Sequence, residues 1–410
     1  MWQAIKNIYH FWQAILALVL YGFPGRGMTI IGVTGTDGKT TTASIIYHCL
    51  ISAGKKAALI SSVGAIMNGK ASDIGLHVTT PGRFAVQSYL KKAKKAGVKY
   101  VVLEVTSHAL DQHRVFGIPF AVGVITNITR EHLDYHKTYN RYVHAKAKLI
   151  KAAKIGIINK DDGSFLRLKK HELKNSHKKI ITFGFKKDSE LNPHNFPFKT
   201  KLIGKFNLYN CLASIAVLQA LNIEEDQIRK GISSFTAPIG RQEVIYQKDF
   251  TVINDFAHTP NSFVSVLSEI KKITKKRLIH VFGAAGLRDK YKRPEMGRIS
   301  SEYADIIILT AEDPRNESPD KISDEIISGI SNHKFKLLNT QELESVKNNE
   351  KYIFKISDRK EAIKFALSIA EKGDIVLLTG KGHEKSINYG RGEQPWDEKE
   401  IALQFIRDMR

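Results

Sequence analysis

The chain has 410 residues, 42% of them hydrophobic, which is too long for one hydrophobic core and predicts two or three domains. Its two cysteines, Cys49 and Cys211, exclude a disulfide framework and indicate a reducing compartment, so we expect a cytoplasmic protein. The net charge of +22 suits a polyanionic partner such as a nucleotide, a nucleic acid or an anionic membrane. Because no aromatic residues interleave the lysine-rich runs at residues 91–95 and 271–277, we expect no nucleic-acid groove.

Residues 1–23 carry apolar side chains at helical spacing and polar side chains on another face, which predicts an amphipathic helix. Its uninterrupted apolar part is too short to span a bilayer, and no small-residue cleavage site precedes the turn at Pro24 and Gly25. We therefore expect neither a signal peptide nor a membrane span. The helix and its linker, residues 1–28, are predicted to pack against the following domain, with peripheral membrane contact as the alternative.

Residues 29–46 predict a strand, a phosphate-binding loop and a helix in succession. A β-branched run indicates a buried strand, and the apolar positions after the glycine-punctuated turn take up helical spacing. The turn would point backbone N–H groups at a polyphosphate, with Lys39 on the outer phosphates and Thr40 or Thr41 on Mg²⁺. Val33 stands where the strict G-x-x-x-x-G-K-[ST] pattern has its first glycine, so an ordinary glycine turn is the alternative.

Alternating strand-like and helical runs follow and predict a P-loop-type α/β domain with a mainly parallel sheet over residues 29–240. Ligands gather at the carboxyl ends of such strands. Glu104 ends a buried strand, where an unpaired carboxylate is costly, so it is a candidate Mg²⁺ ligand. A polar segment at residues 127–136 follows the next strand, and Lys146 lies on the helix after it.

A second series of strands and loops begins near residue 240 and predicts a separate Rossmann-like α/β domain over residues 241–410. Its buried strands are indicated at residues 251–253, 278–282, 306–309 and 375–378. The glycine turn at residues 283–286 lacks the full spacing of a dinucleotide fingerprint, so we expect no NAD site.

A series of segments resembles, in order and spacing, the Mur ligases of peptidoglycan synthesis, and especially their MurE type. These segments are TGTDGKTTT, EVTSHALDQHRV, TNITREHLDYH, the downstream Lys146, GKFNLYN, GRQEV, DFAHTPNS, FGAAGLRDKYKRPEMG, EDPRNE and GKGHE. The resemblance covers about residues 28–410 and is far more specific than the phosphate loop alone. MurE-type enzymes join a diamino acid to UDP-N-acetylmuramoyl-L-alanyl-D-glutamate.

The resemblance implies site residues at the matching positions of this sequence. It implies ATP contacts at Gly35, Thr36, Asp37, Gly38, Lys39, Thr40, Thr41, Asn207, Asn210, Arg241, Asp255 and His258. It implies catalytic roles for Lys39, Glu104, His132 and Lys146. It also implies Mg²⁺ ligands at Thr40, Glu104, His132 and Lys146, the last as a carbamylated lysine whose CO₂ adduct is an anionic oxygen donor. Asn207 and Asn210 have an alternative interpretation as caps of an apolar helix over residues 211–221.

Two further sets of positions match the substrate contacts of the family. The acceptor contacts are Thr79, Thr80, Thr106, Gln112 and Arg114. The amino-acid contacts are Arg288, Asp313, Pro314, Arg315, Gly380 and Glu384. Both arginines could hold carboxylates in a bidentate manner, and Glu384 could hold an ammonium group.

The implied reaction is ATP-dependent amide formation, in which the acceptor carboxylate takes the γ-phosphoryl group and the resulting acyl phosphate is attacked by an amine. Residues 312–315 read Glu-Asp-Pro-Arg rather than the Asp-Asn-Pro-Arg associated with meso-diaminopimelate. Retention of Arg315 favours meso-diaminopimelate, whereas Asp313 leaves L-lysine or another diamine open. We expect a monomer.

The N-terminal region differs from that of the family. Only 28 residues precede the first predicted strand, whereas MurE-type enzymes have a UDP-binding domain of about a hundred residues at this position. We therefore expect weaker recognition of UDP, or an acceptor that is lipid-linked or lacks UDP. The missing domain also keeps open a ligase resembling folylpolyglutamate synthetase. An alternative of a different class is a nucleic-acid-dependent NTPase, or a basic binding module.

Overall fold

The computed structural model describes residues 2–67, 69–72, 79–174, 178–331, 335–345 and 350–409. The chain forms two compact units, Met1–Thr236 and Ala237–Arg410. Each unit has its own sheet with helices packed against it, and the predicted α/β class is confirmed in both.

The first unit alternates strands and helices from its second element onward. Its elements are α1 (Trp2–Tyr21), β1 (Thr29–Thr34), α2 (Lys39–Ser52), β2 (Ala57–Ser61), β3 (Gly64–Met67), β4 (Lys70–Ser72), α3 (Arg83–Lys95), β5 (Tyr100–Glu104), α4 (Ser107–Asp111), β6 (Phe120–Ile125), α5 (Leu133–His136), α6 (Tyr139–Ala152), β7 (Ile155–Asn159), α7 (Phe165–Arg167), a π-helical turn (Leu168–Glu172), β8 (Lys179–Phe183), α8 (Lys205–Ala220) and α9 (Glu225–Ser234).

The sheet of this unit has the strand order β4-β3-β2-β5-β1-β6-β7-β8, and only β3 and β4 run antiparallel to their neighbours. The central strand β1 is buried along almost its whole length because helices cover both faces of the sheet. Gly32 allows this packing, since a Cβ there would lie 2.7 Å from a methyl of Leu149 on α6. The carboxyl ends of β1, β5 and β6 are therefore adjacent, which brings the loops that follow them together.

One alternative for the first unit is wrong: helix α8 begins at Lys205 with Gly204 at its cap position, so Asn207 and Asn210 lie inside the helix and do not cap it. Helix α1 packs on the domain, as expected, through Gln13, Ala17 and Leu18. Six other large apolar side chains of the helix face outward. Among the described residues, no helix combines the length and apolarity needed to cross a bilayer.

The second unit is a seven-stranded sheet with helices on both faces and a small two-stranded ribbon. Its elements are β9 (Glu243–Gln247), β10 (Thr251–Asp255), α10 (Pro260–Ile273), β11 (Leu278–Phe282), α11 (Lys292–Tyr303), β12 (Ile306–Leu309), α12 (Pro319–Ile327), β13 (Lys336–Leu338), a 3₁₀ turn (Thr340–Ser345), β14 (Tyr352–Lys355), α13 (Arg359–Ser368), β15 (Ile375–Thr379), β16 (Ser386–Asn388), β17 (Glu393–Pro395) and α14 (Glu398–Asp408).

The strand order of the larger sheet is β13-β14-β12-β11-β15-β10-β9, and all neighbours are parallel except β9 and β10. Strands β11, β12 and β15 are fully buried apolar runs, as expected for parallel strands covered on both faces. The glycine turn after β11 is packed against backbone, because a Cβ on Gly286 would lie 1.9 Å from the carbonyl oxygen of Pro314. Gly286 therefore allows the loop after β11 to pack closely against the loop that contains Pro314.

Candidate active site

The loop between β1 and α2 requires glycine at two positions. Gly38 caps α2 with φ +79°, and a Cβ there would lie 2.2 Å from Oδ1 of Asn210. A Cβ on Gly35 would lie 1.8 Å from Oγ1 of Thr126. The loop is therefore enclosed by the end of β6 on one side and by α8 on the other, and it leads directly into the N-terminus of α2. That N-terminus carries the partial positive charge suited to a phosphate.

The loop is held in place by the segment after β6. The backbone N–H of Asp37 donates to Oδ1 of Asn127 at 2.9 Å, and Nδ2 of Asn127 donates back to the Asp37 carbonyl at 3.1 Å. Oγ1 of Thr126 donates to the same carbonyl at 2.6 Å. The Thr36 backbone N–H donates to the Asn127 carbonyl at 2.9 Å. These bonds preorganise the loop without using the N-terminus of α2.

Lys39, the first residue of α2, folds back over the loop. Its Nζ donates to the Thr36 carbonyl at 2.8 Å, and the side chain is half-buried. A phosphate bound at the N-terminus of α2 would lie within reach of this ammonium group. Thr41 is buried one position after Thr40 in the first turn of the same helix.

Glu104 is buried at the end of β5 and is surrounded by hydroxyl groups. Oγ1 of Thr40 donates to it at 3.1 Å, and Ser62 donates through its backbone N–H at 3.1 Å and through Oγ at 3.3 Å. The Thr40 and Ser62 hydroxyls are 3.0 Å apart. The structure thus brings two predicted Mg²⁺ ligands into direct contact, with Ser62 as a third oxygen donor. Oxygen ligands of this kind are those that Mg²⁺ prefers.

Lys146 is fully buried on α6 and points at the other side of the loop. Its Nζ donates to the Gly35 carbonyl at 2.5 Å and lies 4.6 Å above the Tyr142 ring. The Tyr142 hydroxyl lies 3.2 Å from Oγ1 of Thr36. Burial, reinforced by the nearby Lys39 charge, holds the pKa of Lys146 well below its ordinary value. A neutral amine in this position is the nucleophilic form.

His132 lies at the start of α5 with a left-handed backbone, φ +54°, and its Nε2 is 3.7 Å from Oε2 of Glu131. Its ring lies 4.9 Å from the His108 ring and 6.1 Å from the Tyr142 ring. His136, 5.5 Å from the His108 ring, has its pKa lowered to about 4 by burial and by that neighbour. The predicted metal-site histidine is thus on the Lys146 side of the loop, connected to it through Tyr142.

Among the residues that the structure describes, no three or more histidine, cysteine, aspartate or glutamate side chains are grouped so that they could hold a metal ion. The donor set at Thr40, Glu104 and Ser62 is made of oxygens only and fits a hard cation that keeps part of its water shell.

Asn207 and Asn210 both lie within the first two turns of α8, on the side facing α2. Nδ2 of Asn210 donates to Oδ1 of Asn207 at 3.0 Å, and Oγ1 of Thr42 donates to Oδ1 of Asn210 at 3.3 Å. Nδ2 of Asn207 donates to the Ile203 carbonyl at 2.7 Å. The two amides therefore fix α8 against the phosphate-loop helix.

The predicted acceptor contacts form a second cluster beside Glu104. Oγ1 of Thr80 donates to the Glu104 carbonyl at 3.0 Å and accepts from the Thr106 backbone N–H at 2.9 Å. Nη1 of Arg114 donates to the Thr80 carbonyl at 2.9 Å, and Nη2 of Arg114 donates to Oε1 of Gln112 at 2.8 Å. The remaining member, Thr79, directly precedes Thr80. This cluster and the phosphate loop share Glu104 as their common border.

In the second unit, three predicted nucleotide contacts surround Phe256 at the end of β10. The Arg241 guanidinium lies 4.5 Å above the Phe256 ring, and the His258 ring packs against it at 4.7 Å. Asp255 accepts from the backbone N–H groups of Gln242 and Ala257, each at 2.7 Å. The Asp255 carboxylate therefore also orders the loops that carry Arg241 and His258.

Lys381 joins two of the predicted amino-acid contacts. Its buried Nζ donates to Oδ1 of Asp313 at 3.0 Å and lies 2.6 Å from Oε2 of Glu384. Oδ1 of Asp313 also accepts from the Asn388 backbone N–H at 3.0 Å. The Asp313 carboxylate is thus paired with a lysine that it shares with Glu384.

Gly380 leaves room for the buried carboxyl group of Glu312. A Cβ at Gly380, where φ is +105°, would lie 3.2 Å from Cγ of Glu312 and 3.3 Å from its carboxyl carbon and Oε2. Burial raises the pKa of Glu312 to about 6, although Lys292 and Lys381 oppose the shift. Within the described part of the chain, Oε2 of Glu312 has no hydrogen-bond partner.

The predicted arginines lie on neighbouring loops. Arg315 has a left-handed backbone, with φ +53°, and its Nη1 donates to the Gly286 carbonyl at 2.7 Å. The preceding residue, Pro314, also packs on Gly286. Arg288 is exposed two residues after Gly286 on the loop that follows β11. Both guanidinium groups therefore belong to one loop cluster at the carboxyl ends of β11 and β12.

Ser62 and Tyr142 belong to the candidate site but were not predicted from the sequence. Ser62 meets Glu104 only because β2 pairs with β5, and Tyr142 meets Thr36 only because α6 packs over the loop. A polar residue directly after a buried strand is the one local pattern that would have pointed to Ser62.

Family models match both units of the chain. The model described as Mur ligase middle domain matches residues 33–218, and the one described as Mur ligase, glutamate ligase domain, matches residues 240–382. Helix α1 lies outside both matches.

Curated relatives and solved structures extend over most of the chain. A UDP-N-acetylmuramoyl-L-alanyl-D-glutamate–2,6-diaminopimelate ligase of Aquifex aeolicus (strain VF5) is 38% identical over 404 residues, which cover 94% of this chain and 79% of that protein. The ligase of the same name from Clostridium perfringens (strain 13 / Type A) is 35% identical over 96% of this chain and 81% of that protein.

Among solved structures, a UDP-N-acetylmuramoyl-L-alanyl-D-glutamate–2,6-diaminopimelate ligase is 28% identical, with a TM-score of 0.63 over 94% of this chain and 79% of that one. A folylpolyglutamate synthase of Mycobacterium tuberculosis is 17% identical, with a TM-score of 0.70 over 90% of this chain and 92% of that one, and this likeness concerns the fold alone. The matched family models and the relatives above 30% identity show that the chain belongs to the Mur ligase family, whose members are ATP-dependent acid–amino-acid ligases.

Proposed function

We propose that this protein adds a diamino acid, meso-diaminopimelate, to a muramoyl-L-alanyl-D-glutamate acceptor in peptidoglycan synthesis, with ATP as the energy source. The observation that carries the ATP-site proposal is the convergence of Lys39, Glu104 and Lys146 on one phosphate loop. Residues 29–240 are the central ATP-binding domain and residues 241–410 the C-terminal domain that presents the amino acid. The protein works as a cytoplasmic monomer.

The acid is activated at the border between the phosphate loop and the acceptor cluster. An oxygen of the acceptor carboxylate bonds to the γ-phosphorus, and the bond from that phosphorus to the β-phosphate oxygen breaks, so that ADP leaves. Lys39 offsets the charge that develops on the transferred group. Arg114 and the Thr80 hydroxyl would orient the acceptor beside Glu104; their hydrogen bonds to the Thr80 and Glu104 carbonyls support this proposal.

Mg²⁺ would be held by Glu104 and Thr40 on one side of the loop and by His132 and carbamylated Lys146 on the other. When bound, it supplies charge neutralisation of the phosphates and a fixed orientation for them. Burial lowers the pKa of Lys146 and so favours its unprotonated amine, the form that attacks CO₂, which suits this lysine to carbamylation.

The amine then attacks the acyl carbon, the bond from that carbon to the phosphate oxygen breaks, and the amine loses a proton. Arg288 and Arg315 hold carboxylates of the incoming amino acid, and Glu384 holds an ammonium group. Arg241, Asp255 and His258 belong to the nucleotide contacts of this domain.

Turnover across a substrate matrix tests the proposal. We expect ADP release and an amide product of the corresponding mass with a muramoyl-L-alanyl-D-glutamate acceptor, UDP-linked or not, and meso-diaminopimelate. Lysine and ornithine are tested beside it, and dihydropteroate with glutamate tests the folylpolyglutamate-type alternative. ADP release that responds to nucleic acid and not to muropeptides would instead identify a nucleic-acid-dependent NTPase.

Asp313→Asn is expected to change the preference for diaminopimelate over lysine less than about fivefold, or about 1 kcal/mol. The Asp313 carboxylate is already hydrogen-bonded by the Lys381 ammonium group and by the Asn388 backbone N–H, and an asparagine oxygen can keep both hydrogen bonds. The measurement is kcat/KM for each amino acid.

Arg315→Ala, on the same loop, is the variant to compare with Asp313→Asn. It should lower kcat/KM for diaminopimelate by about 10- to 100-fold, the effect of losing a hydrogen bond to a charged group, and leave lysine almost unaffected. A large gain of diaminopimelate turnover in Asp313→Asn would show that Asp313 selects the amine instead.

A further inference from the structure

Helix α1 exposes a continuous stripe of large apolar side chains. Six of them are between 51% and 64% exposed: Ile8, Tyr9, Trp12, Leu16, Val19 and Leu20. At about 100° per residue, these six positions lie within an arc of roughly 120°. We call them the outer face of α1. An apolar stripe this continuous normally marks an interaction surface.

The opposite side of α1 is fixed to the domain by polar contacts, by small residues and by two apolar side chains, the buried Leu18 and Phe11, whose ring lies 4.8 Å from the Phe116 ring. Nδ2 of Asn7 donates to Oδ2 of Asp111 at 3.4 Å, and Oε1 of Gln13 accepts from Arg83 at 2.5 Å. Ala14 and Ala17 are buried there. Because these contacts determine the rotation of the helix, the outer face is held outward and cannot turn to bury itself on the domain.

The surroundings of α1 are positively charged. The helix itself contains no acidic residue, and α3, which packs beside it, exposes four lysines, Lys91, Lys92, Lys94 and Lys95. Nζ of Lys91 lies 5.7 Å above the Tyr21 ring, and the Arg26 guanidinium lies 4.4 Å above the Phe23 ring. Aromatic rings flanked by cations are typical of the boundary between lipid headgroups and acyl chains.

We propose that the outer face of α1 and the α3 lysines bind the surface of an anionic lipid bilayer. The 20-residue helix would lie in the plane of the interface, with Trp12 and Tyr9 at the depth of the headgroups. The lysines add electrostatic attraction to anionic headgroups. A second copy of this chain on the same face would instead bring two basic clusters together, which the charge distribution opposes.

If the proposed function is correct, membrane binding through α1 also determines where the acceptor cluster lies relative to the bilayer. Arg83, which contacts α1 through Gln13, also donates to the Gln112 carbonyl at 3.1 Å, and Gln112 is a predicted acceptor contact. Binding through α1 therefore places the acceptor cluster next to the bilayer. An amphiphilic muropeptide held in the membrane could then be presented to that cluster.

Vesicle flotation with the full chain tests the proposal. The probes are phosphatidylcholine vesicles with and without about 30 mol% phosphatidylglycerol. We expect binding to the anionic vesicles, and a loss of about tenfold or more in the partition coefficient for Trp12→Gln/Leu16→Gln/Val19→Gln. Changing Lys91, Lys92, Lys94 and Lys95 to Gln should cause a similar loss that high salt reproduces in the wild type.

A charge-matched control changes four exposed lysines of the same unit to Gln: Lys169, Lys170, Lys186 and Lys187. It should retain anionic-vesicle binding within about twofold. Equal losses in both lysine variants, or no binding by the wild type, would overturn the proposal. So would a dimer of the wild type that the α1 variant converts to a monomer. Turnover of a soluble acceptor, measured on the same samples, reports separately on the proposed function.

Discussion

Lys39→Ala is expected to lower the rate of amide formation by about 10²- to 10³-fold or more, the scale seen when a preorganised charge is removed from a transition state. Lys39 is the ammonium group that starts α2 and folds over the phosphate loop, with its Nζ 2.8 Å from the Thr36 carbonyl. Alanine is compatible with the first turn of a helix, so the loss should not reflect unfolding. The measurement is single-turnover formation of ADP and of the amide product.

Lys56→Ala is the control for Lys39→Ala, because it removes an exposed lysine shortly after the end of the same helix. It should leave both rates unchanged. Amide formation by Lys39→Ala at the wild-type rate would show that residues 35–41 are an ordinary glycine turn. Loss of nucleotide binding without loss of single-turnover rate at saturation would assign Lys39 to ground-state binding only.

The parts of the molecule that the sequence predicts well are those encoded by local patterns. The buried strand, glycine loop and helix at residues 29–46 each have a strong local signal, and the structure contains all three in that order. The carboxyl ends of buried strands likewise predicted where polar groups such as Glu104 would gather.

The parts that the sequence could not predict depend on tertiary packing. Helical periodicity defines two faces of α1 but does not say which one meets the domain, and here polar contacts to Arg83 and Asp111 decide it. Asn207 and Asn210 precede an apolar run and resemble caps, yet their amides are buried between α8 and the loop helix. Tertiary hydrogen bonds thus outweighed the local capping signal.

Lys146→Met is expected to abolish detectable ligation, with a loss of about 10³-fold or more, while leaving the fold intact. The side chain is fully buried, and its amine points at the Gly35 carbonyl of the phosphate loop. A carbamate formed there would place an anionic oxygen donor on the side of the loop opposite Glu104. Methionine fills a similar volume but cannot react with CO₂. The exposed Lys151→Ala, on the same helix, is the control and should retain wild-type turnover.

Two further measurements separate carbamylation from a purely structural role of Lys146. With ¹³C-bicarbonate, the wild type and Lys151→Ala should show a carbamate carbon signal that Lys146→Met lacks, and removal of CO₂ should lower wild-type turnover reversibly. In CO₂-depleted buffer the folded-state pKa of Lys146 lies below its unfolded value, so the unfolded state binds more protons at this residue. The free energy of unfolding of the wild type should therefore rise, relative to Lys146→Met, as the pH increases toward the ordinary lysine pKa of 10.5. A protonated lysine that acts only as a cation would give neither the ¹³C signal nor this pH dependence.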